Sequence, residues 1–177
     1  MPADAKRLKR AQEIEAAFAV KAGLYLLGSL ERGVTVYSQQ VRAHNLVWAL
    51  QVLSTEAGIA VQRVAVVGGG IGGLTATACL LSLFGKAIKL PLFEKRQDLC
   101  PLQQGSDTRW LHPHIYNWPA AATKAPEASL PVLNWKAERA SRVVDQILQN
   151  FQKYVEACTT ADSLTFYIGL KPAGSRE

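Results

Sequence analysis

The chain has 177 residues, enough for one domain with its own core, and 49% of them are hydrophobic against 19% charged, a balance that excludes a disordered or fibrous protein. The formal charge of +6 would suit a polyanionic partner, but Lys6, Arg7, Lys9 and Arg10 gather much of it in one N-terminal cluster. A solvated helix end accounts for such a run, and with no aromatic RNA motif or zinc spacing beside it, nucleic acid is not expected as a partner.

From Ala5 to Leu30, Ile14, Phe18, Leu24 and Leu27 recur at roughly helical spacing, which predicts one or two helices with Gly28 as a stop. After Gly33, the β-branched and aromatic run Val34–Tyr37 reads as a short strand. Ser38 is then the candidate N-cap of a helical stretch that includes Val41, Leu46, Trp48 and Leu53 and ends near Gly58. Val61–Val67 is a second apolar strand, so residues 33–67 are either a βαβ crossover or a helical appendage. The chain divides accordingly into a helical N-terminal extension with a short strand, residues 1–60, and an α/β domain, residues 61–177.

Within the second part, Thr75–Phe84 reads as a helix and Ile88–Glu94 as a strand interrupted by Pro91. Residues 97–134 hold five of the eight prolines and predict a long loop. Lys136–Ala157 is amphipathic, with Val143, Val144, Ile147, Leu148, Phe151, Tyr154 and Val155 on one stripe, and Leu164–Ile168 closes the pattern as a strand. The cysteines Cys79, Cys100 and Cys158 are odd in number and far apart, so they spell neither a disulfide framework nor a metal site. No apolar run reaches the roughly 18 residues of a membrane span, and Glu13 and Glu15 interrupt the N-terminus before any signal-like core. A reducing, cytoplasmic setting without a membrane partner is the expectation.

The chemistry concentrates between Gln62 and Arg96. Arg63–Val67 runs directly into Gly68-Gly69-Gly70-Ile71-Gly72-Gly73 and then into a helical pattern, satisfying G-x-G-x-x-G through Gly68, Gly70 and Gly73. In such a turn the first glycine permits the sharp exit from the strand, the second admits a pyrophosphate close to the backbone, and the third lets helix and sheet approach. The helix start then offers free N–H groups and partial positive charge to the phosphates. Glu94 lies 21 residues after Gly73, at the end of the next strand, where a carboxylate can accept from an adenosine ribose hydroxyl. The same carboxylate disfavours the 2′-phosphate of NADP.

Val64–Arg96, through its "VVGGGIGGL" and "FEK" pieces, resembles the N-terminal ADP-binding segment of the FAD-dependent oxidoreductase superfamily. The resemblance implies an α/β fold, a partial Rossmann-like parallel sheet with flanking helices, here behind a helical N-terminal extension. It implies FAD as cofactor, with NAD the runner-up. It also places the pyrophosphate on Gly68, Gly70 and Gly73, the ribose on Glu94 and, more loosely, the adenine end near Lys95. Thr77 departs from the small residue common in the family, and Pro91 removes an N–H from a strand that should be flanked on both sides.

By the same resemblance, the loop after the second strand sends an arginine and a glycine back to the phosphates, which implies Arg109 and less directly Gly105; the alternative for Arg109 is an ordinary surface ion pair. His112 and His114 are either acid–base groups or, with Trp110, Tyr116 and Trp118, the packing of the loop. Two histidines flanking a proline lack further ligands for a metal, and no metal site is expected. Catalytic residues, substrate and reaction are not readable. Nine residues follow Ile168, so the second flavin-contacting motif and any substrate domain are expected outside this stretch. The function expected is the FAD-binding N-terminal portion of a flavin-dependent oxidoreductase, incomplete for catalysis by itself, or else a dinucleotide-binding module that needs a partner chain or a C-terminal half.

Overall fold

The computed structural model of the chain describes residues 3–28, 33–85, 88–121, 123–158, 160 and 163–170. The first helix, α1 (Ala3–Phe18), ends where β1 (Ala19–Lys21) and β2 (Leu24–Tyr25) pair as a short antiparallel hairpin. This corrects the helical reading of Leu24 and Leu27; residues 29 and 30 of that stretch lie outside the described ones. The reason is local: Gly23 adopts φ 72° in the turn, a conformation costly to other residues, and the Leu26 N–H closes on the Phe18 carbonyl at 2.9 Å. Gly28 therefore follows a hairpin and ends no helix. The basic residues of α1 are exposed, and Arg10 lies 3.7 Å from Glu13.

Helix α2 (Val36–Glu56) overturns two expectations at once, because Val34–Tyr37 is not a strand and Ser38 is not the N-cap. Thr35 caps the helix. Its side chain accepts from the Ser38 N–H at 2.9 Å, and the Ser38 hydroxyl oxygen accepts from the Thr35 N–H at 2.9 Å. This reciprocal box satisfies two donors that a helix start leaves free and so outweighs the β-propensity of the valines. Without a strand there, residues 33–67 form no βαβ crossover, and the helical appendage is what the structure contains. Its end agrees with the sequence: Ala57 caps the helix and Gly58 takes φ 63°.

The second part is a mixed α/β arrangement built from β3 (Val66–Val67), α3 (Ile71–Phe84), β4 (Leu90–Glu94), β5 (Trp110–Leu111), β6 (Glu138–Arg139), α4 (Ala140–Cys158) and β7 (Leu164–Ile168). Strands β3, β4 and β7 make one parallel sheet in the order β3-β4-β7, with Val66 beside Leu92 and Leu92 beside Phe166. Helix α4 starts four residues later than expected because Glu138–Arg139 pairs antiparallel with Trp110–Leu111. The long loop is thereby pinned to the start of α4.

The helices stack on one face of the sheet. Val66, Leu90 and Leu92 point into the core with α3 and α4, α2 packs on α3, and α1 packs on α2 through Ala11, Ala49 and Val52. Helix α3 is buried nearly all round, as its apolar composition requires, whereas α4 presents Val143, Val144, Ile147 and Phe151 inward. No helix among the described residues is long and apolar enough to cross a membrane.

Pro91 explains why the expected strand 61–67 shrinks to Val66–Val67. Leu90 donates to Ser163 on the β7 side, so by alternation the nitrogen of Pro91 faces β3 and has no proton to give. The β3–β4 ladder is broken there, between the isolated Arg63–Lys89 bridge and the Val66–Leu92 pair. Buried polar groups tie the loop to α2: the Gln40 amide donates to the Leu133 carbonyl at 3.0 Å and accepts from the Trp135 indole at 2.6 Å. The Thr77 hydroxyl donates to the Gly73 carbonyl at 2.9 Å, which makes its burial in α3 tolerable.

Replacing Thr35 by alanine removes the side-chain acceptor of the Ser38 N–H, and we expect a loss of about 1 kcal/mol in a denaturant or thermal melt. Ser38→Ala should cost less, since Thr35 still caps the helix by accepting the N–H of residue 38.

Candidate functional site

Strand β3 delivers the chain to the glycine turn with Gly68 bonded to the neighbouring strand, its N–H 2.7 Å from the Phe93 carbonyl. Gly68 then turns at φ 107°, which side-chain-bearing residues rarely adopt. Gly70 is the N-cap of α3 and contributes no side-chain bond, so the first N–H groups of the helix keep no intrahelical partner. A Cβ placed on Gly70 would meet nothing within 4 Å; this position opens on free space. A Cβ on Gly73 would lie 1.8 Å from the Gly68 carbonyl oxygen. The three motif glycines thus serve three different needs: backbone conformation, open approach and helix packing.

Glu94 ends β4 directly beside this turn and is 8% exposed. One carboxylate oxygen accepts the Gly69 N–H at 2.6 Å and the other accepts the Arg96 N–H at 2.8 Å. Burial works to raise its pKa, but the N–H groups of Arg96 and Gly69, helped by the charge of Lys95, outweigh it and hold the carboxyl below its ordinary range. Glu94 is therefore an anion at neutral pH with two of its roughly four acceptor positions engaged. Lys95 itself is exposed.

Gly69 is the residue that sequence reasoning passed over. Its N–H holds Glu94, its carbonyl accepts the Cys100 N–H at 2.9 Å, and a Cβ there would approach Leu99 to 2.7 Å and Glu94 to 3.1 Å. A glycine at the free position between the two motif glycines was the available signal. Gln39, on α2, was also missed: its side-chain oxygen lies 3.6 Å from where a Cβ of Gly72 would stand, and its buried amide nitrogen has no hydrogen-bond partner.

The structure does not join Arg109 to the turn. Arg109 is exposed, its carbonyl accepts the Ala140 N–H at 2.8 Å, and among the described residues its side chain makes no hydrogen bond and not the surface ion pair considered for it. Helix α4 runs back from the β4 side to β7, so Arg109 stands at the same edge of the sheet as the glycine turn. Gly105, at φ 69°, is exposed in the same loop.

The histidines pack and bond the loop. His112 Nδ1 accepts the His114 N–H at 3.2 Å, His114 Nε2 lies 3.1 Å from the Glu127 carbonyl, and Tyr37 and Trp118 stand edge-on to His114 and His112. No group of three or more His, Cys, Asp or Glu side chains among the described residues is placed to hold a metal ion. Cys79 and Cys100 are free, and burial pushes both thiols up to about 12, with the charges of Asp98 and Glu94 adding to the effect at Cys100. Neither is a nucleophile in this state. Cys79 lies 3.2 Å from His44 Nδ1, and His44 Nε2 is 3.3 Å from the Val132 carbonyl. Burial lowers the His44 pKa, so this is a neutral pair with the ring proton on Nε2.

Comparison with protein-family models, with curated proteins and with solved structures found no match. The geometry of the turn and its carboxylate therefore carries the functional argument.

Two variants separate folding from site. Gly73→Ala should destabilise the unliganded protein by about 3 kcal/mol or more, because the clash is with backbone, whereas Gly70→Val, at φ −77° in open space, should leave the melt nearly unchanged. For Glu94, the folded pKa is depressed below that of the unfolded chain, so its contribution is present above the unfolded value and lost as pH falls through the folded one. Urea melts of wild type and Glu94→Gln should accordingly differ most above about pH 5 and converge as pH drops below the ordinary glutamate value of about 4.3.

Proposed function

We propose that the chain binds the ADP half of a dinucleotide at the turn between β3 and α3, with FAD as the preferred ligand, and that it is the N-terminal FAD-binding portion of a flavin-dependent oxidoreductase with a Rossmann-like fold. The observation that carries this reading is the buried Glu94 carboxylate held against Gly69 at the mouth of a turn that opens at Gly70. The strand order supports it, since β7-β4-β3 follows the 3-2-1 half of a dinucleotide-binding sheet with the glycine turn on its first strand.

The residues present fit the group. Gly70 leaves space where a pyrophosphate needs to approach, and the start of α3 supplies N–H donors and partial positive charge. Glu94 retains acceptor capacity for a ribose hydroxyl and repels a 2′-phosphate, which favours FAD or NAD over NADP. Lys95 and Arg109 are exposed cations near that edge, available to the adenine end and to the phosphates respectively. The unpartnered Gln39 amide beside Gly72 is a further donor next to the helix start. FAD, when bound, would supply the electron-accepting flavin; this chain would bind and orient the ADP moiety.

A second reading, a dinucleotide-binding module that works only with a partner chain, is favoured by one observation. Val67, next to the turn, is 86% exposed.

Thermal melts of the purified chain with FAD and with NAD, together with the visible spectrum after desalting, test the proposal. At a hundredfold excess over Kd a ligand should stabilise the fold by about 2.7 kcal/mol. FAD should do so, and Gly70→Val should abolish the shift while melting like wild type without ligand. A Gly70→Val protein that responds to FAD undiminished, or a wild type that neither nucleotide stabilises, would sink the reading.

A further inference from the structure

Parallel sheets are ordinarily covered on both faces. Here the helices cover one, and strand alternation assigns the other to a row of residues that no element among those described covers. At its glycine-turn end this second face is apolar: Val67 is 86% exposed, and Phe93 and Tyr167 on the next two strands stack at 4.8 Å with their rings 12° apart. At the opposite end it is cationic. Arg63 and Lys89 are partners across β3 and β4, both exposed, and among the described residues no carboxylate forms an ion pair with either. Like charges side by side on adjacent strands are unfavourable unless something neutralises them. With Thr165 and Tyr167 they line a cavity of about 300 Å³ whose remaining walls are Leu90 and Pro91.

We propose that this face docks a separate acidic polypeptide chain, whose carboxylates enter the Arg63–Lys89 cavity while an apolar stripe covers Val67, Phe93 and Tyr167. Charge complementarity selects this occupant. Among the described residues the two cations have no ion-pair partner, and a second copy of a chain with formal charge +6 would bring further positive charge to them. The apolar row Val67, Phe93 and Tyr167 crosses all three strands beyond the cavity, which suits a polypeptide better than a small anion. The surface lies on the face of the sheet and the cationic cavity at the far ends of β3 and β4 from the glycine turn, so docking does not depend on the dinucleotide reading.

The test titrates the full chain against a fluorescein-labelled helical peptide with a leucine stripe and glutamates at one end, and against its twin with lysines in place of the glutamates. The acidic peptide should bind saturably, and the twin at least about tenfold more weakly, as expected when charge pairing is lost. The double variant Arg63→Glu, Lys89→Glu should weaken the acidic peptide by a similar factor and leave any FAD-induced thermal shift intact; Val67→Asp should likewise weaken the acidic peptide. Circular dichroism checks that the variants fold, and if Val67→Asp does not, the charge-reversal pair, at exposed positions, carries the test. Equal affinity for both peptides, absence of saturable binding, or indifference to charge reversal overturns the proposal. So does a dimer, seen by sedimentation, that Val67→Asp dissolves, since it would assign the face to a second copy.

Discussion

The approach of α3 to the turn that precedes it constrains everything around the site. With no side chain at Gly73, the helix start sits against the Gly68 carbonyl at a distance where a methyl group would overlap it. That contact aims the helix N-terminus along the end of β3, brings Gly69 under the Glu94 carboxylate and lets Leu74 and Leu81 bury on the sheet. Stability and site geometry are coupled there, because the same backbone atoms that pack the helix also form the open mouth at Gly70. Of Gly70 and Gly73, only Gly70 has open space for a Cβ.

Glu94 shows how a buried charge is kept. Its desolvation is offset by two backbone N–H groups and a nearby lysine, so the carboxylate remains ionised in a nearly dry position. The arrangement clamps the glycine turn to the end of β4 and leaves part of the carboxylate's acceptor capacity unused by those two bonds. The buried thiols are the contrast. Among the described residues no cation offsets the burial of Cys79 and Cys100, which holds both thiols neutral, and they act as packing residues.

The sheet is unequal in its two faces. On one, α3 and α4 bury Val66, Leu90 and Leu92, with α2 and α1 stacked outside them. On the other, an aromatic pair and an exposed valine lie at one end, and two cations without an ion-pair partner among the described residues lie at the other. Because side chains alternate strictly along a strand, the residues that build the covered face necessarily create the uncovered one. Pro91 belongs to the same economy: in the central strand it interrupts the ladder toward β3 without disturbing the ladder toward β7.

By itself the sequence determined the elements whose pattern is local and repeated. The glycine turn with its flanking strand and helix, the α4 stripe and the β7 strand were legible because period and turn chemistry speak within a few residues. The conformational demand at Gly68 and the packing demand at Gly73 were legible for the same reason. Tertiary structure decided the rest. Val34–Tyr37 became a helix start through the Thr35–Ser38 box and burial against α3, and Leu24 joined a hairpin through the Gly23 turn, both cases where a local bond overrode residue propensity. The clamp of Gly69 on Glu94 spans 25 residues, and the placement of Arg109 at the start of α4 depends on a strand pair formed across the long loop. Neither could be read from spacing, because a hydrogen bond between distant residues is set by how the intervening chain packs and leaves no period in the sequence.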